Sequence, residues 1–132
     1  MTDHTSRSLR TPLARVRYLG SARNGTKHFW HQRLTAVASI PLTIAAIVII
    51  MSLLGRNHAA VVQILGSSFV AITMLLFVVT SVYHMWLGMQ VIIEDYVHDE
   101  TWKFATLMAN TCFSVAVGFT AVFAILKLSF GL

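Results

Sequence analysis

The sequence predicts an all-α membrane protein with three transmembrane helices running up-down-up from a cytoplasmic N-terminus. Three observations carry that reading: long charge-free apolar runs, a basic charge confined to one end, and short polar connections. At 132 residues, 56% hydrophobic composition, 11% charged residues and a mean hydropathy of +0.70, the chain lies outside the range of soluble domains, which are roughly 45–50% apolar and about a quarter charged. Run length is more decisive than the average, because a helix crossing about 30 Å of hydrocarbon needs about 20 consecutive apolar residues. Leu34 to Leu54, Ala59 to Ile93 and Phe104 to Leu126 contain no Asp, Glu, Lys or Arg.

Residues 1–26 read as a basic cytoplasmic arm. They are polar and broken by Pro12, Gly20 and Gly25, so no helical period is sustained. Seven of the ten Lys and Arg residues (Arg7, Arg10, Arg15, Arg17, Arg23, Lys27, Arg33) precede the first span, against the single acid Asp3. Cations near span ends favour the cytoplasmic side. The N-terminus and the Glu94–Lys103 loop are therefore expected inside, Arg56 and Leu132 outside. A basic arm tethered to a bilayer and lacking interleaved aromatics does not read as a nucleic-acid binder; lipid headgroups or a peripheral subunit suit it better. Its Arg- and Ser-rich, acid-poor composition also resembles an organelle transit peptide. The expectation is a segment retained in a multi-pass protein of the bacterial inner membrane, with the mitochondrial inner membrane as the alternative.

Residues 27–132 form the membrane domain, with spans at about 34–54, 64–93 and 104–126. His28, Trp30 and His31 sit where amphipathic rings favour the interface. Pro41 removes a backbone hydrogen bond inside the first span, which predicts a kink near Ile40. The Gly55–His58 connection is short, making the first two spans antiparallel neighbours. The middle run is too long for one crossing, so part of it must extend past the hydrocarbon, tilt, or begin as an interfacial turn around Ala59 to Gly66. Trp102 and Phe104 anchor the third helix. The lone cysteine, Cys112, permits neither an internal disulfide nor a Cys-x-x-Cys-His attachment of a c-type haem. Three spans with short loops are too few to enclose a large ligand, which implies that the chain works beside another.

His84 is the only histidine inside the apolar runs. Ionisable groups at membrane depth are costly and usually face a bundle interior or a cavity. Two roles are open for it: a hydrogen bond to a neighbouring helix, or ligation of a haem iron, with Gly88 one turn away leaving room for a flat macrocycle. Glu94, Asp95 and Tyr96 follow where the run ends. Eleven residues bring Asp95 to within about 20° of the His84 face and about 16 Å along the axis. A hydroxyl that donates to a quinone carbonyl and a carboxylate that relays protons are what quinone reduction needs. The simpler alternative is that the acids end the helix and the tyrosine anchors it. Arg33, with His31 and His28, either marks topology or pairs with haem propionates. Thr80 and Ser81 are expected to bond back to helix carbonyls, and the small residues Ser39, Thr43, Gly66, Gly118 and Thr120 to let helices approach.

The order of motifs resembles the hydrophobic membrane anchor (D chain) family of succinate dehydrogenase, respiratory complex II. Arg23-Asn24-Gly25-Thr26-Lys27-His28 is similar to that family's Arg-Asn-Gly-x-x-His entry, and Arg33-Leu34-Thr35-Ala36 to its Arg-x-Thr-Ala opening of the first span. His84 to Gly88, then Asp95-Tyr96-Val97, resemble its His-x-x-x-Gly and Asp-Tyr-Val pattern. The resemblance covers residues 23 to about 126. It implies that His84 is an axial ligand of a haem b shared with a second membrane anchor subunit of the cytochrome b type, that Tyr96 and Asp95 line a ubiquinone site, and that Arg33 lies near the haem propionates. It further implies iron–sulfur and flavoprotein subunits as partners, with succinate oxidised on the flavoprotein and no succinate chemistry on this chain. Alternatives are a purely structural anchor, a quinol:fumarate reductase anchor without haem, and a small proton-conducting subunit using His84 and Asp95. The last is disfavoured, because about 16 Å is far beyond the 2.6–3.2 Å of a direct proton hop.

Overall fold

The computed structural model describes Thr11 and residues 24–130; the expectations for the arm before Asn24, including its Arg23, lie outside that range. Among the described residues every regular element is helical: α1 (Asn24–Leu53), α2 (His58–Leu65), α3 (Ser68–Tyr96) and α4 (Glu100–Phe130). Helices α1, α3 and α4 have 30, 29 and 31 residues and each is long and apolar enough to cross a bilayer. At 1.5 Å per residue they extend about 45 Å, so each protrudes beyond the hydrocarbon.

Local chemistry sets the breaks. Helix α1 runs on through Pro41 and stops where Gly55 takes φ +73°, the left-handed conformation that ends helices at least cost when the residue lacks a Cβ. Asn57 then caps α2, its side chain accepting from Ala60 N at 2.9 Å, as expected of an Asn N-cap. Helix α2 is a separate short helix at the start of the middle run, where a turn was one of the expected outcomes: the chain breaks at Gly66 and Ser67 and continues as α3. At the other end Asp99 caps α4 by accepting from Trp102 N at 2.9 Å. Glu100 in the first turn and Lys127 in the last both complement the helix dipole.

The three spans form a layer one helix thick. Helix α3 packs against α1 on one side and α4 on the other, and α1 and α4 do not touch; α2 braces the end of the layer against α1, α3 and α4. Buried apolar residues are confined to Ala46, Ala71, Leu87 and Ile93, while bulky residues such as Ile44, Phe69, Phe119 and Phe123 point outward. That is the pattern of a lipid-immersed protein, in which packing and interhelical hydrogen bonds replace the hydrophobic drive. Side-chain back-bonding within the spans comes from Thr35, Ser39, Ser52, Thr73, Thr106, Thr111 and Thr120. Thr80 and Ser81, both half-buried on α3, make no such bond among the described residues, contrary to expectation.

Candidate functional site at the α1–α3 interface

His84 lies past the middle of α3 and turns its ring toward α1. Its Nδ1 is 2.9 Å from Thr35 Oγ1, across a half-buried contact. The Thr35 hydroxyl is held in place by its own helix, donating to the carbonyls of His31 at 2.7 Å and Gln32 at 3.0 Å. Among the described residues His84 Nε2 makes no hydrogen bond. One ring nitrogen is thus anchored and the other is left uncommitted, on a helix long and apolar enough to cross a membrane.

The face of α1 directed at α3 is polar for about two turns. Thr35, Gln32 and His28 follow one another at three- and four-residue spacing and so share one side of the helix. Gln32 fills the notch above Gly88: a Cβ built there would lie 3.6 Å from Gln32 Nε2. The Gln32 carboxamide is thus the group of α1 that meets this side of Gly88, at ordinary van der Waals distance. Two atoms on this face, His28 Nε2 and Gln32 Oε1, are buried without a hydrogen-bond partner.

The other residues singled out as propionate neighbours have partners already. His31 Nδ1 lies 2.6 Å from the Tyr83 hydroxyl, their rings meeting edge to face at 5.9 Å. The Arg33 guanidinium carbon sits 4.5 Å from the centroid of the Phe29 ring, a cation–π distance. Tyr83 stacks on Trp86 at 5.7 Å, and Trp86 Nε1 donates to Thr111 of α4 at 3.2 Å. A line of side chains therefore runs from α1 across α3 to α4. Sequence reasoning missed Thr35, Tyr83 and Trp86; the signal for Thr35 was its place four residues after His31, inside the Arg-x-Thr-Ala motif.

Asp95 and Tyr96 end α3 and are exposed, Tyr96 by 78%. The helix is unbroken from His84 to Tyr96, so eleven residues of regular rise set Asp95 about 16 Å from His84. Glu94 accepts from Gln90 Nε2 at 3.0 Å, and His98 Nδ1 donates to the Tyr96 carbonyl at 3.1 Å. The Asp95 carboxylate and the Tyr96 hydroxyl have no hydrogen-bond partner among the described residues, leaving both open to a ligand at the membrane rim.

A concavity lies between α3 and α4, a groove of about 450 Å³ with walls that include Val78, Val82, Trp86, Ser114, Gly118 and Val122. No group of three or more His, Cys, Asp or Glu residues suited to a metal occurs among the described residues.

Residues 7–125 match the family model described as succinate dehydrogenase/fumarate reductase transmembrane subunit. The chain is 31% identical over 121 residues to a succinate dehydrogenase hydrophobic membrane anchor subunit of Paracoccus denitrificans, covering 92% of this chain and 93% of that one. It is 28% identical over 106 residues to the subunit of that name from Rickettsia bellii (80% and 85% covered) and 32% over 89 residues to that from Rickettsia conorii (64% and 68%). No solved structure matches. With three apolar spans and a match over nearly its whole length, the chain belongs to the succinate dehydrogenase/fumarate reductase transmembrane subunit family, as a multi-pass membrane anchor subunit of succinate dehydrogenase.

Proposed function

We propose that this anchor contributes one axial ligand, His84, to a haem b shared with a second membrane anchor subunit, and with Asp95 and Tyr96 forms part of a ubiquinone-reduction site. The observation that carries the reading is the state of His84: Nδ1 bonded to Thr35 at 2.9 Å and Nε2 uncommitted. Metal-bound histidines ordinarily bond through their second ring nitrogen in this way. A histidine with a purely structural role has no need of a free nitrogen at membrane depth. The donor set fits the cofactor, since one imidazole from each of two subunits completes bis-histidine ligation of a haem. Bound there, a haem b supplies a one-electron store beside the quinone site.

The chain's own residues then divide the work. His84 binds through Nε2 and Thr35 holds its ring. His28, with Nε2 buried and unpartnered, is the best placed of the three propionate candidates on the α1 face; Arg33 and His31 lie at the same end of α1. Tyr96 donates a hydrogen bond to a quinone carbonyl, and Asp95 passes protons from the cytoplasmic water, two being needed with two electrons to make the quinol. The N-terminus and the 1–26 arm lie in the cytoplasm of a bacterial cell, where the arm and the Val97–Glu100 turn face the iron–sulfur and flavoprotein subunits that carry succinate chemistry.

The test is a reduced-minus-oxidised visible spectrum of the purified complex and of its His84→Ala variant. The expected result is a b-type spectrum in the wild type, lost in the variant while the succinate-oxidising subunits stay active with an artificial acceptor. A wild-type complex without that spectrum would leave the structural anchor, or a haem-free fumarate-reducing anchor, as the function.

A further inference from the structure

We propose that Thr35 is a positioning residue that fixes the tautomer of His84 and thereby selects Nε2 as the atom offered to the metal; the proposal rests on the reading of His84 as a haem ligand. The argument is a count of protons. A threonine hydroxyl has one hydrogen to donate and two lone pairs to accept with. Thr35 Oγ1 lies 2.7 Å from the His31 carbonyl and 3.0 Å from the Gln32 carbonyl, and neither carbonyl can donate. The single hydroxyl hydrogen is therefore spent within α1. What Oγ1 turns toward His84 Nδ1 at 2.9 Å is a lone pair, so Nδ1 must carry the ring hydrogen. A neutral imidazole has one N–H, which leaves Nε2 with the free pair that a metal requires.

Three consequences follow for the ligand. Its ring is held at one point on a neighbouring helix, so its plane is set before any metal arrives. Its tautomer is the ligating one, so none of the intrinsic affinity is spent on converting it. Its donor strength is raised, because an imidazole that gives its N–H to an acceptor becomes a better electron donor at the other nitrogen. The acceptor is itself rigid, as back-bonding restricts the χ1 rotamer of a β-branched side chain on a helix. The contact also joins α1 to α3, so packing and tautomer control have to be separated by experiment.

The whole complex should be purified with Thr35→Ser, Thr35→Ala and Thr35→Val, alongside wild type and His84→Ala. Haem content, redox midpoint potential and the low-spin ferric electron paramagnetic resonance signal are then measured, and assembly is compared in haem-supplied and haem-starved cells. Ser keeps the acceptor and should match wild type in every readout. Ala and Val should assemble, bind haem about 10- to 100-fold more weakly, show a more positive midpoint potential because a poorer donor stabilises ferric iron less, and display shifted g-values. Ala or Val variants with wild-type potential and g-values would overturn the proposal. So would failure of both to assemble in haem-starved cells where wild type assembles, because Thr35 would then be a packing residue. A wild-type complex with no low-spin haem signal would instead sink the underlying reading of His84, a result distinct from either.

Discussion

The two helix interfaces of the layer are built from different materials. Between α1 and α3 the contact is polar and contains groups without partners: Thr35 on His84, Gln32 over Gly88, and the orphaned atoms of His28 and Gln32. Between α3 and α4 the contact is close, and among the described residues Ser114 Oγ is its one buried side-chain polar atom without a hydrogen-bond partner. Asn110 donates to the Trp86 carbonyl at 3.1 Å and Trp86 donates to Thr111 at 3.2 Å. Gly118 lets the helices approach, since a Cβ there would already lie 3.4 Å from Val82. Small residues and completed hydrogen bonds are how helices adhere in lipid, so the α3–α4 contact looks like adhesion alone. Buried polar atoms left unpaired cost roughly 1–3 kcal/mol each; the α1–α3 contact holds two of them beside a histidine, against the single hydroxyl of Ser114 at α3–α4, and this sets it apart as the more polar of the two.

The comparison breaks most sharply at His84. His84→Ala is expected to remove the b-type spectrum altogether with the complex still assembled, checked by visible spectroscopy and subunit stoichiometry. If the spectrum survives, the polar interface is not the cofactor side. Next is Asp95→Asn, expected to lower quinone-reductase turnover about 100-fold, the usual scale for a lost proton-transfer group, with little change in the quinone KM. Tyr96→Phe should cost about tenfold or less in quinone reduction, the scale of one hydrogen bond to substrate, while succinate oxidation by an artificial acceptor stays normal. Equal loss of both activities would point to faulty assembly. The smallest effect is on the adhesive side. Asn110→Leu should destabilise the complex by about 1 kcal/mol, read as a lower detergent-unfolding midpoint, with the haem spectrum unchanged. A spectral change there would dissolve the distinction between the interfaces.

Much of this was legible in the sequence, for identifiable reasons. Span number follows from charge-free run length, and the excess length of the middle run offered a turn around Ala59 to Gly66 as one of three outcomes, the one in which α2 stands apart from α3. His84 stood out because an ionisable residue at membrane depth is rare. The rest depends on pairings that no single run encodes. Short loops make neighbouring spans antiparallel but do not say whether the first and third meet, so an open layer was not distinguishable from a closed bundle. The direction of the His84 ring depends on which residue of α1 comes level with it. Thr35 attracts no notice in an apolar run, where threonines mostly bond back to their own helix, and it does so here while also meeting His84.

The single-helix thickness of the layer has a consequence for biogenesis. A sheet of three rods has no interior, so on the proposed reading the His84 side of α3 is completed only when another polypeptide comes alongside. Before that, the imidazole and its polar neighbours sit at a seam next to acyl chains, where their desolvation is uncompensated. On the proposed reading, the atoms that favour docking of a neighbour are the same ones offered to the prosthetic group, and an unassembled copy would keep buried polar atoms without partners.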